Sequence, residues 1–217
     1  MLGSLGDLST FIGRWLRRGQ AADSQMRYPE ASSSSYYDYV HRTNEAYKTN
    51  NWLVAEIEAI LSIKPDSLLE VGCGNGRFLA AVRERVEHVA GVDWAVSPIL
   101  AEIGVVDCVK KCDITREPLP KVDLVCSADV LEHIAPDALP STLRRLHAAG
   151  REQYHVIACY DDGHSHLSIM EPSMWLNLFR MLSERYRIID TRFRRGDRSQ
   201  AVCVIATFDP VLQGSGL

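Results

Sequence analysis

Residues 67–79 read SLLEVGCGNGRFL: a short apolar run, glycines at alternate positions 72, 74 and 76, then the start of an amphipathic segment. Glycine takes positive φ without a steric penalty and lets another molecule touch the main chain. The stretch therefore predicts a strand, a tight turn open to a ligand, and a helix. A dinucleotide-binding turn spaces its glycines Gly-x-Gly-x-x-Gly, the third serving helix–strand packing. Here the spacing is Gly-x-Gly-x-Gly, and the strand carries an acid, Glu70. A carboxylate at that point would repel a pyrophosphate. It suits a ligand that carries an ammonium and a sulfonium.

Outward from this turn the chain alternates between helical and extended patterns. NWLVAEIEAILSI (51–63) has helical periodicity, GRFLAAVRERV (76–86) reads as an amphipathic helix, and HVAGVD (88–93) as a strand. AVSPILAEIG predicts a helix, VVDCVKKCD (105–113) a short strand, KVDLVCSAD (121–129) an apolar strand, and about 136–149 another helix. QYHVIACY (153–160) is a fifth strand, and EPSMWLNLFRML (171–182) a helix with Pro172 suited to its first turn. Two closing β runs, YRIIDTRFRR and QAVCVIATF, flank Gly196 and Asp197 and read as a hairpin. Alternating β and α units imply an α/β, Rossmann-like fold: a mostly parallel sheet with helices on both faces, closed by an antiparallel hairpin strand. Ligands on such sheets sit at the carboxyl ends of the strands. The glycine turn, Asp93, Asp113 and the segment Ser127–His133 all fall there.

Bulk properties narrow the class. The chain has 217 residues, enough for one sizeable core, and 46% of them are hydrophobic. A formal charge of -4 provides no global field to recruit nucleic acid. The six cysteines show no Cys-x-x-Cys spacing and fit free thiols in a reducing cytoplasm. No apolar run approaches the ~20 residues that span a bilayer, and no signal peptide pattern opens the chain. The expected location is cytoplasmic. Residues 1–20 place Leu2, Leu5, Leu8, Phe11, Ile12, Trp15 and Leu16 on one helical stripe ending in Arg14, Arg17 and Arg18. Such a helix suits a membrane surface, a partner groove or the chain's own domain. A low-complexity linker (21–35) then leads into a single domain over 36–217.

LLEVGCGNGRFL, GVDWAVSPI and CDITREPLPKVDLVCSADVLEHI together resemble the successive motifs of class I S-adenosylmethionine-dependent methyltransferases, closest to the small-molecule and glycan enzymes with a DVLEH loop. The resemblance covers about residues 50–207. It implies a seven-stranded sheet with its last strand antiparallel, and S-adenosyl-L-methionine as cofactor. It also implies roles. Glu70 and the glycine turn (Gly72, Cys73, Gly74, Gly76) face the methionine end, Asp93 takes the ribose, and Trp94 lies against the adenine. Asp113 and Ile114 read the adenine edge, and Ser127 and Ala128 lie beside the methionine portion.

Methyl transfer from a sulfonium is an in-line displacement in which the protein supplies alignment and excludes water. A hydroxyl acceptor usually needs a base. His133 is one candidate. The loop CYDDGHSHLSIM (159–170) offers Asp161, Asp162, His164 and His166 at the mouth of the cleft, with no further ligand in view that would make a metal site of them. The Tyr-rich segment 35–52 makes Tyr36, Tyr37, Tyr39 and His41 candidate lid or acceptor contacts, since in related enzymes this region folds over the cofactor. Arg192, Arg194, Arg195 and Arg198 crowd the hairpin, where a solvated basic turn is the plainer expectation than a phosphorylated or nucleic-acid partner. The reading is a methyltransferase acting on a small-molecule or sugar-containing acceptor at oxygen. The rivals are an RNA or protein methyltransferase and an inactive cofactor-binding partner subunit. The overall acidity and the lack of an appended recognition domain count against the first rival.

Overall fold

The computed structural model describes residues 33–210. The expected helix at 1–20 and most of the expected linker lie outside them. The chain enters the fold through α1 (Ser34–Thr43), which starts inside the stretch expected as linker because the Ser33 hydroxyl caps it, accepting from the Tyr36 N–H. A five-residue α2 (Glu45–Thr49) follows, capped by Asn44. The helix expected over 51–63 is broken in two: a 3-10 turn at Trp52–Glu56 and then α3 (Ile57–Leu61).

Seven strands form one sheet: β1 (Ser67–Val71), β2 (His88–Asp93), β3 (Val109–Lys111), β4 (Val122–Ala128), β5 (Gly150–Ala158), β6 (Arg187–Phe193) and β7 (Ala201–Ala206). Their order is β3-β2-β1-β4-β5-β7-β6. All neighbours are parallel except β7, which runs antiparallel to both β5 and β6. The order reverses between β1 and β4, so a crevice opens at their carboxyl ends. The helices α4 (Arg77–Val82), α5 (Leu139–Ala149) and α6 (Pro172–Arg180) complete the layers.

The central strands read as continuous apolar runs because both faces are covered. Period-2 alternation divides them. Leu68, Leu124, Cys126 and Tyr154 pack with Leu53, Ile60, Phe78 and Val82 on one side. Leu69, Val125, Ile157 and Cys203 pack with Leu143, Leu146, Trp175 and Phe179 on the other. This parity decides which side chains near the strand ends can reach the crevice. The segment expected as a helix after β2 is only a 3-10 turn at Pro98–Leu100 followed by turns. Its chain doubles back, with the Val105 N–H bonded to the Leu100 carbonyl, so that Leu100 and Val105 both bury against Cys73 and Leu79. A regular helix could not turn both inward over so short a span.

Candidate functional site

The crevice is a cavity of about 820 Å³, in the upper part of the ~300–1,000 Å³ range of small-molecule sites. One wall is the glycine turn. Gly72, Gly74 and Gly76 all have positive φ, of 68°, 51° and 71°. They do different work. A Cβ on Gly72 would stand 2.2 Å from Val130 Cγ2, so this glycine lets the loop after β4 close onto the turn. A Cβ on Gly74 would meet nothing nearer than His41 Cε1 at 3.6 Å, leaving its main chain open to the cavity. Gly76 does not line the cavity: a Cβ there would collide with Leu100 and Val105, so it serves packing beneath α4 rather than a ligand. Cys73 offers only its main chain, because its thiol is buried with Leu79 and Leu100.

Two acids lie beside this turn. Asp93, at the end of β2, accepts from the Gly74 N–H (2.7 Å) and the Ala95 N–H (3.0 Å), so it both shapes the turn and faces the cavity. Each carboxylate oxygen keeps a second lone pair for a ligand hydroxyl. Burial raises its pKa, partly countered by the Ala95 N–H and by His41. Glu70 is 2% exposed. Its Oε1 accepts from Asn51 Nδ2 at 3.1 Å, while Oε2 is buried with no partner in the protein. Burial pushes its carboxyl well above the usual carboxylate range, the Asn51 bond opposes this, and the charge of Asp93 adds to it. An orphaned acceptor of this kind, aimed into a cavity, marks the place of a cationic or donor group.

Trp94, Asp113 and Ile114 line the cavity beyond Asp93. Asp113 Oδ1 accepts from the Thr115 N–H and hydroxyl, which holds the loop after β3 and leaves Oδ2 near Arg116. Ala128 also lines the cavity, but Ser127 does not. Ser127 shares the parity of Val125, so its hydroxyl points into the core and bonds His155 Nδ1 at 2.8 Å. The expectation that Ser127 lies beside the cofactor is therefore corrected. Burial drives His155 down to about 3, so it is a neutral core histidine.

The segment before β1 closes one side. Tyr37 and His41 line the cavity. Tyr37 stands over Trp94 (ring centroids 6.0 Å) and against His133 (6.1 Å), and its buried hydroxyl has no partner. Tyr36 stands behind the wall, its hydroxyl 3.1 Å from His164 Nδ1. Tyr39 points away and is 60% exposed, so it is no lid contact. The segment is pinned to the glycine turn by Asn75, whose buried amide donates to the carbonyls of Tyr47 and Asn50.

Opposite lie the loops after β4 and β5. Asp129 has φ of 54°, and Arg194 clamps it with two bonds of 2.7 and 2.6 Å. The Arg194 guanidinium also stacks 4.2 Å above Trp52. The basic hairpin is thus not a solvated turn at this position: Arg194 is only 10% exposed. Asp162 organises the 159–170 loop, with Oδ1 accepting from the N–H groups of His164, Ser165 and His166. Asp161 accepts from the Gly163 N–H at 2.8 Å. His164 is half exposed at the rim, with Nε2 3.1 Å from Asp162 Oδ2. His166 and His133 are turned inward, edge to face at 4.9 Å. Burial, and then the neighbouring His166, lower His133 to about 4.

A family model described as a methyltransferase domain matches residues 29–197. The chain belongs to this family. It is a class I S-adenosylmethionine-dependent methyltransferase. Comparison with curated proteins returned no match. Solved structures share the fold. The 1,6-didemethyltoxoflavin-N1-methyltransferase of Burkholderia thailandensis, with S-adenosylhomocysteine bound, is 21% identical, with a TM-score of 0.59 over 81% of this chain and 87% of that one. The N-methyltransferase NodS of Bradyrhizobium japonicum, also bound to S-adenosylhomocysteine, is 12% identical, with a TM-score of 0.60 over 80% and 97%. The mitomycin 7-O-methyltransferase MmcR is 14% identical, with a TM-score of 0.52 over 91% and 66%. Among the described residues of this methyltransferase, no helix is long and apolar enough to cross a membrane. Sequence reading missed Asn51, Asn75, Trp52 and Glu132 as site residues. Only Glu132, inside the DVLEH loop, carried a signal that could have found it.

Proposed function

We propose that this methyltransferase transfers a methyl group to a hydroxyl of a small-molecule or sugar-containing acceptor. The observation that carries the cofactor assignment is the orphaned Oε2 of Glu70, buried in a cavity where Gly74 leaves its main chain open. Glu70 and the Gly72–Gly74 main chain would hold the ammonium and carboxylate end of S-adenosylmethionine, and Asp93 its ribose. Trp94, Asp113 and Ile114 would border the adenine, and Ala128 the methionine chain. When bound, the cofactor supplies the electrophilic methyl group on sulfur.

The protein's residues supply the rest. Tyr37, His41 and the α2 segment cover the cavity and exclude water. The Arg194–Asp129 clamp, stacked on Trp52, gives a rigid floor on the acceptor side. His133 and His166 face the same space. Both histidines donate Nδ1–H to main-chain carbonyls, of Ser165 and Tyr160, because a carbonyl can only accept. In its neutral form each ring thus has its lone pair on Nε2, the form in which an imidazole can take a hydroxyl proton. A neutral amine acceptor needs no such group, and this supports the choice of oxygen.

The test is incubation of the purified full chain with methyl-labelled cofactor and a fractionated cell extract. Label is expected in a low-molecular-mass polar product, on oxygen by mass spectrometry and NMR. Label on nitrogen, or in RNA or protein, would overturn the acceptor reading. Replacement of His166 or of His164 by Ala is expected to lower turnover and leave S-adenosylhomocysteine affinity unchanged.

A further inference from the structure

Glu132, His133 and His166 converge where the loops after β4 and β5 meet. One ligand-type atom from each lies within 4.8 Å of the other two. His166 Nε2 stands 4.0 Å from Glu132 Oε1. Glu132 is completely buried; Oε1 accepts from the Ala158 N–H at 3.1 Å, and Oε2 has no partner in the protein. The carbonyl partners of His133 Nδ1 and His166 Nδ1 hold the proton of each neutral ring on Nδ1 and turn Nε2 toward the cluster. With neutral rings, three acceptors share one enclosed space and no hydrogen bond joins them. Groups that only repel or ignore one another are not gathered in a core without a positive centre between them.

The surroundings sharpen what that centre is. Asp129 takes two hydrogen bonds from Arg194, which also donates to the Tyr160 hydroxyl; Arg194 acts on Glu132 through charge, and Glu132 Oε2 still has no hydrogen-bond partner in the protein. Asp162 has both oxygens committed to its own loop, Oδ2 accepting from the Ser165 hydroxyl, although it stands 3.7 Å from His166 Nε2. A ring nitrogen pinned by an Nδ1–H bond to a main-chain carbonyl is the usual outer support of a metal-ligating histidine, since it fixes both tautomer and orientation. Ligands around one ion at ~2.1 Å stand ~3–4 Å apart, so rotations of an ångström or less would close this cluster on an ion. The rim of the cluster opens on the cavity, since His133 and His166 line it.

We propose that Glu132, His133 and His166 bind a divalent cation at the acceptor end of the cavity. Two imidazole nitrogens and one carboxylate favour Mn²⁺, Fe²⁺, Co²⁺ or Zn²⁺ over Ca²⁺, whose sites are built of oxygen. Three protein ligands leave coordination positions for water or for the acceptor. Resting on the oxygen-acceptor reading above, the cation would draw the acceptor hydroxyl in and favour its alkoxide form, and the two Nε2 lone pairs would then hold the cation in place of taking the proton themselves. The O–H proton leaves to water, the new O–C bond forms as the C–S bond breaks, and the electron pair of that bond stays on sulfur. The cation changes neither charge nor oxidation state. The sequence offered no metal because its Asp161, Asp162, His164 and His166 cluster lacked a further ligand. The fold instead sets His166 beside the Glu132–His133 pair from another loop.

The test uses the full chain stripped with a chelator and titrated with Mn²⁺, followed by electron paramagnetic resonance, with S-adenosylhomocysteine binding measured in parallel by calorimetry. One Mn²⁺ per chain is expected, with hyperfine coupling to nitrogen. His133→Ala and His166→Ala are each expected to weaken Mn²⁺ binding at least about tenfold while S-adenosylhomocysteine binds as before. Glu132→Gln should do the same, but its oxygen also holds the Ala158 N–H, so the two histidine variants keep the test decisive if that protein does not fold. No saturable Mn²⁺ binding, binding without nitrogen coupling, or affinity unchanged in both histidine variants overturns the proposal. If S-adenosylhomocysteine binds and Mn²⁺ does not, the metal site alone falls; the reverse result leaves the metal site standing and sinks the cofactor assignment.

Discussion

Replacement of Glu70 by Gln should make the free protein more stable and the cofactor bind worse. The substitution keeps the shape of the side chain and its bond with Asn51 Nδ2, and removes only the charge. In the free protein the carboxyl is buried, and its pKa is raised by that burial. The sign follows from linkage. A folded-state pKa above the unfolded one means that the stability due to the protonated group is fully present below ~4.3 and is lost as pH rises through the raised value. Near neutral pH the folded protein therefore carries a strained acid, and its Oε2 has no donor. An unsatisfied buried acceptor costs about 1–3 kcal/mol. Gln relieves the ionic part of this cost, and at about 2–4 °C per kcal/mol for a domain of this size the melting temperature should rise by several degrees.

With a cationic ligand beside it the same carboxylate becomes an asset. A hydrogen bond to a charged group contributes about 1.5–3 kcal/mol, so Glu70→Gln should weaken S-adenosylhomocysteine by roughly 10- to 150-fold. The ligand's ammonium also lowers the carboxyl pKa, so the free state holds the proton more tightly than the complex. Binding must then release protons, and wild-type affinity should rise with pH between the two pKa values. Calorimetry in buffers of different ionisation enthalpy reads the proton release, and differential scanning calorimetry reads the stability. A Gln variant that binds within threefold of wild type, or that melts lower without ligand, would refute the reasoning.

Gly72→Ala should destabilise the fold by about 2–4 kcal/mol, because positive φ is joined by a Cβ 2.2 Å from Val130 Cγ2; Gly74→Ala, with room at 3.6 Å, should cost only about 1–2 kcal/mol, and denaturant melts that rank them the other way contradict this account. Ser127→Ala breaks the 2.8 Å bond with His155 and should cost about 1 kcal/mol in stability with no change in S-adenosylhomocysteine affinity by calorimetry. Arg194→Leu removes both bonds to Asp129 and the guanidinium stacked on Trp52, and urea melts should show a loss of about 3–5 kcal/mol, with turnover lost even where the protein remains folded.

The fold and half of the site were legible from strand ends. In a doubly covered parallel sheet, apolar runs mark the strands, and the residues just past them must lie at one edge; this places Gly72, Asp93, Asp113 and His133 together without any coordinates. The misplacements share a cause. Position along the chain puts Ser127 at the strand end; parity decides which way its side chain points. Counting in twos from Val125 puts it on the face of the α5–α6 core, opposite Glu70, which follows Leu68. Gly76 looked like its two neighbours in the turn, but its role depends on Leu100 and Val105, which only the doubled-back chain brings near. Arg194 sat in a run of basic residues that reads as solvated. Its burial depends on Trp52, 142 residues earlier in the sequence, and no local pattern encodes such a pair.

The two acids with orphaned oxygens explain why one cavity can run a two-component reaction. Glu70 and Glu132 are both buried, both have a raised pKa dominated by burial, and each has one oxygen bonded within the protein and one left over. A core that only needed stability would place an apolar residue at either point, since a buried uncompensated carboxylate is costly. Each is therefore better explained by something positive that arrives from outside. They have different partners: Glu70 accepts from Asn51, and Glu132 accepts from the Ala158 N–H and stands 4.0 Å from His166 Nε2. What satisfies one cannot satisfy the other, so the two sites should titrate independently, cofactor at one and cation at the other.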